Sequence, residues 1–201
     1  MTQTLRVLML KNSESDAEMI KQELSRAGLA PVTRTVGSES DFTSALREFS
    51  PDVVLSDDSP AQFNVCAALK LLRTLRPITP LIIVSGANNG EHTVAFVRAG
   101  AEDVIVKNSL SRLPDTISRA VSIRRPLQKL TPRQIEVLRM VAEGRRTRDI
   151  ASELKLSVKT VESHRGEVMK RLGMHDVVTL VRYAARVGLI TSASGVAPSS
   201  T

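Results

Sequence analysis

Val53-Val54-Leu55 and Leu81-Ile82-Ile83-Val84 are apolar at every position, and this constrains the fold more than any other feature of the chain. A strand with one face in water alternates apolar with polar. A strand apolar throughout is covered on both faces, the condition of a parallel sheet clothed by helices. Five short β-rich runs fit this description or flank it: Arg6–Leu10, Pro31–Val36, Asp52–Ser56, Leu81–Ser85 and Asp103–Val106. Between them lie amphipathic stretches near 14–27, 39–49, 62–75, 90–99 and 111–124. Residues 1–124 are therefore predicted to form an α/β, doubly wound (βα)5 domain, with its chemistry at the carboxyl ends of the strands.

The alternation stops at Arg124-Arg125-Pro126-Leu127-Gln128-Lys129. Pro126 is expected to end the preceding helix, and residues 125–129 are read as a linker. Beyond it the pattern is wholly helical. Thr131-Pro132-Arg133-Gln134 has the form of an N-cap, a proline in the first turn and a capping-box glutamine, and further helix starts fall at Thr147, Ser157 and near Asp176. A small all-α domain over 130–190 follows, and the tail 191–201 is small, polar and expected to be disordered.

Charge separates the halves. Residues 1–126 carry a net charge of +1 and residues 127–201 carry +6. A basic surplus confined to a small helical segment suggests a polyanion as its partner, although many basic faces are merely solvated. Aromatic residues make up 2% of the chain and Trp is absent, which argues against base-stacking platforms for single strands. One cysteine, Cys66, and three scattered histidines offer neither a disulfide nor metal-ligand spacing. No secretory leader and no membrane-length apolar run stand in the sequence, so a cytoplasmic protein without a membrane partner is expected.

Spacing alone gives the helical half a plan. Ile150, Ala151 and Leu154 form one apolar face, Lys155-Leu156-Ser157 is a short turn, and Val161, Val168 and Leu172 recur at helical spacing. Two helices joined so tightly share a core and cross steeply. The face left outside on the second helix carries Lys159, Thr160, Glu162, Ser163, Arg165, Gly166 and Lys170. Polar and short near its amino end, that face can approach base edges in a major groove. Residues 130–190 closely resemble the LuxR/FixJ/NarL-type helix-turn-helix in the opening Leu-Thr-Pro-Arg, in Ile-Ala-x-x-Leu at 150–154, in Ser-Val-Lys-Thr-Val-Glu-x-His at 157–164 and in the closing Gly-Leu-Ile. The resemblance implies double-stranded DNA as partner and the helix from Val158 to Leu172 as the one that enters the groove. It puts Glu162, Ser163 and Gly166 at base-reading positions. Lys159, Thr160, Arg165 and Lys170, with Arg146, fall at the phosphates or groove rim. A homodimer through the last helix, around Val178, Arg182 and Ala185, is implied as well.

The first half resembles the CheY-like receiver domain of two-component response regulators, through Leu55-Ser56-Asp57, Ile83-Val84-Ser85-Gly86 and Val106-Lys107 at successive strand ends. The resemblance implies Asp57 as the phospho-accepting position, Ser85 as the hydroxyl that reports phosphorylation and Lys107 as the lysine that pairs with the phosphoryl group. It also implies two acidic residues after the first strand, which with the acceptor hold Mg²⁺; here that place reads Lys11-Asn12. Three carboxylates would sum to −3, whereas Lys11, Asn12 and Asp57 sum to zero. An ammonium repels the cation, and two like charges 4 Å apart cost roughly 4 kcal/mol at an effective dielectric near 20. Val104 stands where the family carries an aromatic switch residue. No cofactor is expected, Mg²⁺ binding is disfavoured, and Lys11, with Lys107, is expected against Asp57. Asp58 is a second carboxylate able to recruit a metal in another geometry.

These readings lead to a sequence-specific DNA-binding transcription regulator with a degenerate, phosphorylation-independent pseudo-receiver, and not to an enzyme. Two alternatives stay open: a conventional response regulator phosphorylated on Asp57 by a histidine kinase or other signalling partner, and a protein-interaction adaptor using the receiver fold.

Overall fold

A computed structural model of the chain describes residues 4–10, 13–58, 63–86 and 90–190. Lys11, Asn12 and the tail from residue 191 lie outside the described residues. Internal packing divides the chain into two compact units, with the division between Ser122 and Ile123.

In the first unit, β1 (Leu5–Leu10), β2 (Pro31–Val36), β3 (Val53–Asp57), β4 (Leu81–Ser85) and β5 (Asp103–Val106) form one parallel sheet in the order β2-β1-β3-β4-β5. Helices α1 (Glu14–Arg26), α2 (Glu39–Glu48), α3 (Val65–Leu75), α4 (Gly90–Ala99) and α5 (Leu113–Arg124) alternate with the strands, as the periodicities require. Two separate cores explain why the strands are apolar throughout. Leu8, Leu10, Val54 and Ile83 pack with Phe42, Leu46, Leu69 and Leu72 of α2 and α3. Val7, Met9, Leu55, Ile82 and Val84 pack with Ile20 and Leu24 of α1 and with Leu113 and Ile117 of α5. Successive strand residues point to opposite faces, so both faces of β1, β3 and β4 are dry. Each such side chain contributes about 1.5–3 kcal/mol by burial. Ser13, Ser38 and Asn64 cap α1, α2 and α3, each accepting from a backbone N–H three residues on.

In the second unit, α6 (Pro132–Ala142), α7 (Thr147–Leu154), α8 (Val158–Leu172) and α9 (Val177–Arg186) follow a 3-10 turn over Arg125–Lys129. That turn occupies the residues read as a linker. Leu127 is fully buried and the turn packs on α8, because an apolar side chain inside an otherwise basic run finds the helical core. The last two residues of α5 also belong to this unit. Tyr183 Oη donates to the Ile123 carbonyl at 2.9 Å, and Arg124 Nη2 donates to the Val187 carbonyl at 3.0 Å. The capping box at the start of α6 is complete: Gln134 N–H donates to Thr131 Oγ1 at 3.2 Å and Thr131 N–H to Gln134 Oε1 at 2.9 Å. Among the described residues, no helix is long and apolar enough to cross a membrane.

Candidate DNA interface and receiver site

The turn between α7 and α8 sets the position of α8. Lys155 takes the left-handed conformation (φ 53°, ψ 46°), and the Leu156 N–H donates to the Ala151 carbonyl at 2.9 Å, closing α7 in the manner of a C-cap. Ser157 then caps α8, accepting from the Thr160 N–H at 3.0 Å. Arg133, from α6, donates to the Leu154 carbonyl and pins the end of α7. Val161 and Val168 face the core, while Leu172, expected there too, is only half-buried because it sits in the last turn of α8.

What α8 leaves outside is a single stripe. Lys159, Glu162, Ser163, Gly166 and Lys170 are exposed, and Thr160 and Arg165 are half-buried. At about 1.5 Å rise per residue the two lysines stand roughly 16 Å apart along the axis, with the short side chains between them. That spacing is comparable with the roughly 12 Å width of a major groove. A Cβ added at Gly166 meets nothing within 4 Å.

Hydrogen bonding sorts the cations of this unit. Arg145 is held by Glu143 at 3.2 Å and by Glu153, and Arg171 donates to the Lys129 carbonyl at 2.8 Å and to Gln134 Oε1 at 3.2 Å. Among the described residues, the side chains of Arg146, Lys159, Arg165 and Lys170 join no internal hydrogen bond or ion pair. The Thr160 hydroxyl lies 2.7 Å from Ser157 Oγ, within the cap. The outer face of α9 presents Val178, Arg182 and Ala185, all exposed. Asp176 caps that helix; the Thr179 amide and hydroxyl donate to it and hold its carboxyl below the usual carboxylate range.

In the first unit the strand ends bring Asp57, Ser85 and Lys107 onto one edge of the sheet. Asp57 pairs in register with Val84, and Ser85 with Val106, directly before Lys107. The expected pairing of Lys107 with Asp57 is not formed. Lys107 Nζ lies 2.5 Å from Asp16 Oδ1, on the first turn of α1. Asp16 supplies a half-buried carboxylate there, and opposite charges so shielded from water pair in preference to a longer reach. Ser85 Oγ donates to Asp58 Oδ2 at 2.5 Å. Asp58, a candidate metal ligand by sequence, thus holds a hydroxyl. Val104 is half-buried and packs on the α2/α3 core. Among the described residues, no group of three His, Cys, Asp or Glu side chains is placed to hold a metal ion. Asp16 was missed by sequence reasoning; its only signal was an acid in the first turn of a capped helix, which serves the helix dipole equally well.

Comparison with known proteins agrees with both halves. Residues 7–118 match the model of the response regulator receiver domain, and residues 128–184 match that of bacterial regulatory proteins of the luxR family. The transcriptional regulatory protein MctR of Rhizobium johnstonii is 24% identical over 205 residues, covering 93% of this chain and 96% of that protein. The oxygen regulatory protein NreC of Staphylococcus aureus is 26% identical over 189 residues, covering 79% and 87%. Among solved structures, two RcsB dimers bound to two parallel DNAs align with a TM-score of 0.52 at 22% identity, over 90% of this chain and 98% of that one. RcsB of Salmonella enterica serovar Typhimurium, bound to promoter rprA, aligns at 0.50 and 21% identity, over 90% and 99%. With a receiver-domain model matched over more than half its length and a luxR-family model over its second unit, the chain belongs to the DNA-binding two-component response regulators of the LuxR family, which are transcription regulators and not enzymes.

Proposed function

We propose that this regulator reads DNA through α8 and that its receiver works without metal-dependent phosphorylation. The observation that carries the first half is the outer stripe of α8: Lys159, Arg165 and Lys170 there, with Arg146 at the amino end of α7, join no internal hydrogen bond or ion pair among the described residues and can meet phosphates. Glu162, Ser163 and Gly166 then face base edges, where Glu162 can accept from a cytosine amino group. Thr160 contributes at the rim through its methyl group, while its hydroxyl stays in the cap with Ser157. The protein acts as a homodimer paired through Val178, Arg182 and Ala185 of α9, as helix-turn-helix proteins suit paired half-sites, and it works in the cytoplasm.

For the receiver, the supporting facts are the sequence pair Lys11-Asn12 in place of two acids, and the absence of a convergent carboxylate set among the described residues. Acyl-phosphate chemistry needs a cation to neutralise the transferring oxygens, and the Lys11-Asn12 pair in the sequence offers it no carboxylate. The retained Asp57 at the end of β3 favours the competing reading, conventional phosphorylation by a histidine kinase.

Two measurements test the reading. Replacing Lys159 by Ala should weaken binding to all duplexes and lower the salt slope of log K by roughly one; an unchanged slope removes Lys159 from the contact set. Incubation with Mg²⁺ and acetyl phosphate, followed by intact mass, should leave the chain unmodified; a stable phosphoryl group on Asp57 would overturn phosphate independence.

A further inference from the structure

Ligands of open parallel sheets bind outside the carboxyl ends of the strands, and an ammonium beside a hydroxyl there makes a pair of donors suited to an anion. Lys107 and Ser85 are such a pair, on neighbouring strand ends of β5 and β4. Ser85 is 4% exposed, and the Lys107 side chain is 32% exposed. Each donor already meets a carboxylate of the same chain at 2.5 Å: Asp58 Oδ2 for Ser85 and Asp16 Oδ1 for Lys107.

We propose that Asp16 and Asp58 are internal anions that occupy the receiver's two anion-binding donors and latch the strand ends in one state. This rests on the reading that the receiver is not driven by metal-dependent phosphorylation, and it supplies what that reading lacks: the group that takes the phosphoryl's place. The two contacts tie different elements. Asp58, one residue beyond β3, ties that strand's end to β4, and Asp16 ties the first turn of α1 to the end of β5. An external anion must displace a carboxylate that is tethered, and a tethered group competes at a high effective concentration. Lys107 and Ser85 are thus satisfied at all times, whatever the supply of phosphodonor.

The test uses the full chain with Asp16→Asn, Asp58→Asn and the double substitution, each near-isosteric and each removing one internal charge. Thermal melting is followed with and without inorganic phosphate at constant ionic strength, with chloride as the control, and amide exchange is read by mass spectrometry. The latch predicts faster exchange, by tenfold or more, in peptides covering 81–86 and 103–112, and unchanged exchange in β2. It also predicts that the double variant gains several degrees from phosphate while the wild type gains none, because phosphate then competes with two neutral amides and not with two carboxylates. A merely structural role for the two carboxylates lowers the melting temperature without creating a response to phosphate. Equal phosphate response in wild type and double variant, or unchanged exchange at both peptides, overturns the latch. Where Asp16→Asn fails to fold, Lys107→Met with Asp58→Asn takes its place and must then show the exchange change at both peptides with no phosphate gain. Acetyl-phosphate labelling of the wild type reports separately on phosphate independence, so either idea can fall without the other.

Discussion

Gly166 stands in the middle of an exposed helical stripe, a position that helix propensity disfavours, and Gly166→Ala separates the reasons for its presence. An alanine Cβ there meets no neighbour within 4 Å, so packing neither gains nor loses. The change then acts through propensity alone, which favours alanine over glycine in a helix interior by about 0.8–1.0 kcal/mol. For a unit of this size, that raises the melting temperature by about 4–8 °C. The chain has no Trp and a single Tyr, Tyr183 on α9, so tyrosine fluorescence follows the unfolding of the second unit by itself. Binding should move the other way. A methyl group pointing from α8 toward the bases prevents the closest approach of the helix backbone, and losing one good base contact costs about 1–3 kcal/mol. Anisotropy titration should give roughly tenfold weaker binding to a selected genomic fragment and unchanged binding to bulk competitor DNA, whose affinity comes from phosphates. A variant that is no more stable than wild type refutes the placement of Gly166 in an ordered, solvent-facing helix. A more stable variant with undiminished specific affinity refutes its place in the groove.

Lys155→Gly should stabilise the second unit. Relief of a left-handed non-glycine backbone is worth about 1–2 kcal/mol, the added freedom of the unfolded chain returns about 0.4–1 kcal/mol, and chemical denaturation should show a net gain of at most about 1.6 kcal/mol. Thr131→Ala removes one arm of the capping box and leaves buried Gln134 with a lost partner, so denaturation should show a loss of about 1 kcal/mol. Tyr183 is half-buried, and desolvation pushes its phenol above the ordinary value of 10.0 against the opposing pull of Arg124. Its folded pKa being the higher, the unfolded chain loses its proton first. The stability it contributes is complete below pH 10 and is lost as pH rises through the folded pKa. Absorbance titration of the single tyrosine should show a midpoint above 10 that drops to about 10 in denaturant. With phosphate contacts confined to Arg146, Lys159, Arg165 and Lys170, the salt slope should be near −3.6 per bound unit, by about 0.9 per phosphate neutralised; a slope twice as steep refutes that contact set.

The strands were legible because burial on both faces leaves no polar position to confuse the pattern. Pro31–Val36, Leu81–Ser85 and Asp103–Val106 begin and end as periodicity and turn residues indicate. The outer stripe of α8 was legible for the same reason in reverse: once Val161 and Val168 face the core, 3.6-residue geometry fixes where Lys159 and Lys170 point. Lys155 was not legible as a left-handed residue, since tertiary packing of α7 on α8 imposes a conformation that its side chain disfavours. Leu127 was lost in a run of cations. The partners of Lys107 and Ser85 could not be read at all, because sequence gives the donors at strand ends but not which carboxylate, among Asp16, Asp57 and Asp58, the fold carries to each.

The two units solve opposite problems with the same kinds of side chain. In the second, Arg133, Arg145 and Arg171 are spent on carbonyls and carboxylates of the fold, and the cations on the outer stripe of α8 stay available to a polyanion. Had Lys159 or Lys170 been drawn into such bonds, the surplus charge of +6 would describe a stable surface and not a docking face. In the first, Lys107 and Ser85 sit where an open sheet offers its ligand site, yet the fold itself answers them through Asp16 and Asp58. A donor already satisfied at 2.5 Å gains little from an incoming anion, since only the difference between the two partners contributes to binding. Residue type does not settle the matter; what decides whether a basic group serves a partner or the fold is the acceptor that tertiary structure sets beside it.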